Sequence, residues 1–137
     1  MRPVHFELPA DDTARCITFY NKAFGWTFEK WDGPMEYWMI KTGGAASGSD
    51  TGGAAPGTGA DVPGIDGGLM KRDHPGQTAT NVIAVGDCDA ATKQVLAAGA
   101  TQTVPKMGVP GIGWCAYFLD TENNPFGIIQ FDPGATS

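Results

Sequence analysis

Apolar and polar positions alternate over Val4-His-Phe-Glu-Leu8, which predicts a strand with His5 and Glu7 on one face and Val4, Phe6 and Leu8 on the other. Pro9-Ala-Asp-Asp12 ends it, and the period then changes. Ala14, Ile17 and Phe24, with Cys16 and Tyr20, recur at helical spacing. A helix is therefore expected over Thr13 to Ala23, with Asp11 or Asp12 placed to cap its start and Gly25 to stop it. Alternation returns in Trp26 to Trp31 and in Glu36 to Lys41, two strands joined by the hairpin signal Asp32-Gly33. The interval Thr42 to Gly64 is almost entirely Gly, Ala, Ser, Thr, Pro and Asp without periodicity, a composition that buries little and predicts a loop. A mobile lid over a pocket is its functional alternative. Ile65 to Lys71 then supplies a fourth strand.

Arg72 to Gln77 reads as a linker, after which the pattern restarts. Ala79 to Val85 is expected as a strand, Asp87 as a cap, Ala90 to Ala98 as a helix stopped by Gly99, and Thr101 to Pro105 as a short strand. Lys106 to Gly113 reads as a loop. The apolar runs Trp114 to Leu119 and Phe126 to Phe131, separated by the turn formers Asp120-Thr-Glu-Asn-Asn-Pro125, form a terminal hairpin. Asn123 tolerates the left-handed conformation that such a turn needs. The order β-α-β-β-β thus occurs twice, in modules 1–72 and 78–132 of a single 137-residue domain.

Composition narrows the function classes. A formal net charge of -6 and nine scattered Lys and Arg argue against a nucleic-acid partner. No apolar run approaches the ~20 residues of a membrane span, and the Met1-Arg-Pro-Val-His start lacks a signal-peptide core, so a cytoplasmic protein is expected. Cys16, Cys88 and Cys115 are well separated and lack zinc-like spacing, so they are expected as buried free thiols.

The duplicated order, together with Val4-His-Phe-Glu-Leu-Pro-Ala-Asp-Asp12, Phe24-Gly-Trp26, Gly67-Gly-Leu-Met70, Asp87-Cys-Asp-Ala-Ala91, Pro110-Gly-Ile-Gly-Trp114 and Pro125-Phe-Gly127, closely resembles the vicinal oxygen chelate superfamily. That group includes glyoxalase I, extradiol dioxygenases, fosfomycin resistance transferases and bleomycin-binding proteins, and the likeness is strongest to its glyoxalase-like branch. The resemblance implies an α+β fold in which two tandem βαβββ modules form a curved mixed sheet around a cavity. It also implies metal ligands on the first and fourth strands of each module, at positions that fall here on His5, Gly68, Thr80 or Asn81, and Gly127. Only His5 is a strong donor, and a lone imidazole holds no metal at useful affinity, so no metal and no cofactor are expected.

The site expected on this scaffold has His5 and Glu7 as an acid/base pair, the same residues also fitting plain hydrogen-bonded pocket positions. Their Cβ atoms, two residues apart on a strand, stand about 6.5 to 7 Å apart, so contact needs side-chain reach or a water. Substrate contacts are expected from Trp38, Met70, Thr80, Trp114 and Tyr117, with the facing of the aromatic residues left open by parity. Gly68 and Gly127 would leave room for an organic ligand where a metal would otherwise sit. The leading reading is a metal-free, glyoxalase-like protein that binds a small, partly apolar molecule, and a homodimer is implied by the resemblance. The alternatives are a metal-dependent lyase, isomerase or dioxygenase recruiting Glu7, His74 or Asp66, and a non-catalytic sequestration or regulatory subunit.

Overall fold

The computed structural model describes residues 1–43 and 63–137. The expected loop and its lid alternative fall largely on 44–62, outside the described residues. Ten elements follow in the order β1 (Arg2–Ala10), α1 (Thr13–Phe24), β2 (Thr27–Lys30), β3 (Tyr37–Lys41), β4 (Asp66–Lys71), β5 (Thr80–Ala84), α2 (Cys88–Ala97), β6 (Thr101–Val109), β7 (Gly113–Leu119) and β8 (Pro125–Phe131). They divide into two compact units, His5–Ala79 and Thr80–Ser137 with Met1–Val4.

In the unit His5–Ala79 the strand order is β2-β3-β4-β1. β1 and β4 run parallel, a pairing that requires a crossover and here has α1 within it, while β2, β3 and β4 pair antiparallel. Ala10, Ile40 and Leu69 form the core, with Phe6, Leu8, Cys16, Ile17, Trp26, Phe28 and Trp38 packed on them. The even-numbered residues of β1 therefore look toward α1, and the odd-numbered ones look away. Asp12 caps α1 as expected, its Oδ1 accepting the Arg15 N–H at 2.9 Å, and Gly25 ends it with φ of 73°.

The unit Thr80–Ser137 repeats the pattern with order β5-β8-β7-β6, β5 parallel to β8 and the rest antiparallel. Cys88, Ala91, Ala116, Phe118 and Ile128 form its core under α2. Three expectations need correction. The stretch expected as a loop from Lys106 continues β6 to Val109, because register shifts between Gln102 and Val104 and between Val104 and Met107 carry the strand past Pro105. The β2–β3 connection is not a two-residue turn, since Trp31 N–H donates to Tyr37 O at 2.8 Å and leaves five residues between them. Gly33 serves space rather than a positive φ, because a Cβ there would overlap the Trp31 ring. Cys88 and Cys115 are buried as expected, but Cys16 is only half-buried, since α1 has no fully buried residue. Asn123 adopts the left-handed conformation with φ of 65°, as its turn demands.

Candidate active site

In the unit His5–Ala79 the sheet face turned away from α1 carries His5 and Glu7 of β1, Tyr37 and Met39 of β3, and Asp66, Gly68 and Met70 of β4. The register aligns Glu7 and Met39 with Gly68, and Pro9 and Tyr37 with Met70. Glu7 is 9% exposed, the one buried charged side chain among the described residues. Tyr37 reaches across Gly68 so that its hydroxyl stands 2.9 Å from His5 Nε2 and 3.4 Å from Glu7 Oε2. The second distance is long, so the link to Glu7 is the weaker one. When the phenol proton points to Glu7, the other bond runs from His5 Nε2–H to Tyr37 Oη.

Tyr37 thus supplies the connection that strand spacing denies to His5 and Glu7 by themselves. Trp31 packs edge-on against it, ring centroids 6.3 Å apart at 80°. Burial lowers the His5 pKa from its ordinary value, and the Asp66 carboxylate raises it by a smaller amount. Asp66 is itself held by Thr42, whose N–H donates to Oδ1 at 2.9 Å, and lies 3.7 Å from Lys41 Nζ.

The other sequence-derived candidates separate by face. Met70 stands beside Tyr37 on the His5 face, and its Sδ accepts from Gln77 Nε2 at 3.8 Å. Trp38 lies on the opposite face, against the core under α1, and borders an open cleft of about 540 Å³ with Ile17 and Phe28. In the unit Thr80–Ser137, Thr80 and Tyr117 share the face of Gly127, whereas Asn81 points to the helix side. Trp114 packs on the α2 core, donates Nε1–H to Asp132 Oδ2 at 3.0 Å and lies under the Lys106 ammonium, 5.1 Å from the ring centroid. Trp38 and Trp114 therefore belong to the helix-side layers of their units. His74 is exposed in the linker. Tyr37 was not singled out in the sequence, because its side-chain direction depends on strand parity; its odd position on the strand facing β4 was the available signal.

The sequence of residues 2–43 matches the family model described as bleomycin resistance protein-like N-terminal. No curated protein matches the chain. Among solved structures, methylmalonyl-CoA epimerase from Mycobacterium tuberculosis is 12% identical, with a TM-score of 0.63 over 96% of this chain and 89% of that one. A glyoxalase/bleomycin resistance protein/dioxygenase superfamily member from Vibrio splendidus 12B01 is 16% identical, with a TM-score of 0.61 over 96% of this chain and 100% of that one. The Mn(II)-bound glyoxalase from Novosphingobium aromaticivorans is 18% identical, with a TM-score of 0.53 over 99% of this chain and 40% of that one. The chain has the vicinal oxygen chelate fold. The family model and these neighbours support the superfamily resemblance drawn from the sequence motifs.

The resemblance implies a divalent metal, and among the described residues at the positions it implies only His5 is a strong donor. Beside His5, the fourth-strand position is Gly68, and the space a ligand side chain would need is filled by the Tyr37 phenol. At Gly127 the Tyr117 ring stands in the way, its Cε1 2.8 Å from where a Cβ would be. Among the described residues no group of three or more His, Cys, Asp and Glu side chains stands close enough to hold a metal. The room expected at the two glycines is thus taken up by tyrosines, which corrects the expectation that a ligand would use it.

Proposed function

We propose that this chain is a glyoxalase-like protein of the vicinal oxygen chelate fold that binds a small, partly apolar organic molecule and transfers a proton on it without a metal. The observation that carries this reading is the convergence of an imidazole, a buried carboxyl group and a phenol on one sheet face, at His5, Glu7 and Tyr37. Titratable side chains brought together in this way are a mark of acid/base sites. Glu7 or His5 serves as base toward a carbon-bound proton beside a carbonyl, and the Tyr37 hydroxyl donates to the oxygen on which charge develops. Met39 and Met70 supply the adaptable apolar surface for the rest of the ligand. Thr80 and Tyr117 are the corresponding substrate contacts proposed in the other unit.

The experiment is deuterium wash-in from D2O into a panel of 2-oxo acids, 2-hydroxy aldehydes and acyl thioesters, followed by proton NMR. Exchange by the wild type that drops at least ~100-fold in both Glu7→Gln and His5→Ala supports the reading. Exchange that is equal in wild type and variants, or absent throughout the panel, overturns it. Saturation-transfer binding to panel members without exchange would favour sequestration instead.

A further inference from the structure

Two tyrosines crowd the glycine positions, each from the corresponding strand of its unit but from different register positions, since Tyr37 pairs with Met70 and Tyr117 with Gly127. Tyr37 stands on β3 and Tyr117 on β7, in each case the strand that pairs antiparallel with the closing strand of its unit. At Gly68 a Cβ would overlap the Oη and Cζ of Tyr37. At Gly127, which lies directly opposite Tyr117 in the ladder, a Cβ would stand 2.8 Å from Cε1 and 3.0 Å from Cδ1. Contacts this close exclude any larger residue unless the ring moves. Both glycines are buried and both tyrosines half-buried.

We infer that each tyrosine and glycine form a matched pair in which a phenol ring from one strand occupies the space of a metal-ligating side chain from the next. Neither position then has room for a ligand side chain, the phenol end of Tyr37 standing over Gly68 and the ring edge of Tyr117 over Gly127. In the unit His5–Ala79 the exchange also alters chemistry. His5, the one strong donor left at the positions implied by the resemblance, turns Nε2 to the Tyr37 hydroxyl at 2.9 Å. The matched pairing does not require the catalytic reading above.

Two measurements on the full chain test it. Calorimetric titration of untagged protein with ZnCl2, MnCl2 and NiCl2 is expected to give the same isotherm for wild type and His5→Ala. About one equivalent bound by the wild type and lost in His5→Ala would overturn the inference while leaving the deuterium experiment free to succeed. The second measurement is a thermal double-mutant cycle. Gly68→Ala is expected to lower Tm by at least ~4 °C in the wild type and by less than half as much in a Tyr37→Ala background, because the nearest atoms the added Cβ would meet belong to Tyr37. Additive losses, or an unchanged Tm in Gly68→Ala, would show that the two positions are not matched. Should Gly68→Ala fail to fold, Gly127→Ala with and without Tyr117→Ala provides the same cycle at the second pair.

Discussion

The hydroxyl of Tyr37 distinguishes the candidate site from two polar residues that merely share a strand. Tyr37→Phe removes this group and leaves the ring over Gly68, so the fold is expected to survive with a loss of about 1 kcal/mol. Proton exchange on any accepted ligand is expected to fall about 10- to 1,000-fold, read by the same deuterium wash-in. His5 offers a second residue-level check. Its folded pKa is lowered, so between that value and the unfolded value near 6.5 the unfolded chain binds more protons than the folded one. The contribution of His5 to stability is therefore full above about pH 6.5 and declines as pH falls toward the folded pKa. Asp66→Asn removes the charge that partly offsets burial, and a proton NMR titration is expected to show the His5 pKa falling further. A rise in that variant would mean that Asp66 does not act on the imidazole through its charge.

Among the elements, those with strong local signals were legible in the sequence. Asp12 and Gly25 bound α1 because capping and left-handed termination are local requirements, and Asp12→Ala is expected to cost about 0.5 to 2 kcal/mol in a denaturant melt. The turn after β7 was equally legible, with Asn123 at positive φ and Asp120 accepting N–H groups of Glu122 at 2.8 Å and Asn124 at 2.9 Å. These bonds hold the Asp120 carboxyl below its ordinary value near 3.8. Their stabilisation is present above that pH and is lost as pH falls through the lower folded value, so Asp120→Ala is expected to flatten the acid limb of the stability profile. Legibility ended where a property depended on register or on bulk. Tyr37 and Trp38 are neighbours of similar size on a five-residue strand, and the pattern of β3 alone does not say which one faces α1. The registers Trp38 to Leu69 and Met39 to Gly68 decide it, and those pairings join residues about thirty positions apart. Likewise Gly68 and Gly127 read as space in the sequence, because nothing local reveals a ring arriving from the adjacent strand.

At the scale of the whole chain, no described helix is long and apolar enough to cross a membrane, and the duplication visible in the sequence appears as two units of matching strand order. The homodimer implied by the resemblance is a proposal that sedimentation equilibrium checks directly, a monomer at all concentrations counting against it. The core pattern gives a more particular expectation. Leu69 is completely buried in the cluster with Ala10 and Ile40, whereas Phe118, 1% exposed, belongs to the cluster with Ala116 and Ile128, and no residue is shared between the two. Truncating either side chain removes apolar contact and leaves a cavity, at about 2 to 5 kcal/mol for Leu69→Ala and about 3 to 5 kcal/mol for Phe118→Ala. Because each loss falls first on the packing of its own cluster, Leu69→Ala is expected to reduce amide exchange protection in β1, β3 and β4 more than in β5, β7 and β8, and Phe118→Ala to do the reverse. Equal loss throughout in both variants would show that the chain opens only as one cooperative block. In that case the Tm cycle at Gly68 and Tyr37 would report on global stability, and a local effect at His5 would have to be read from its own NMR titration.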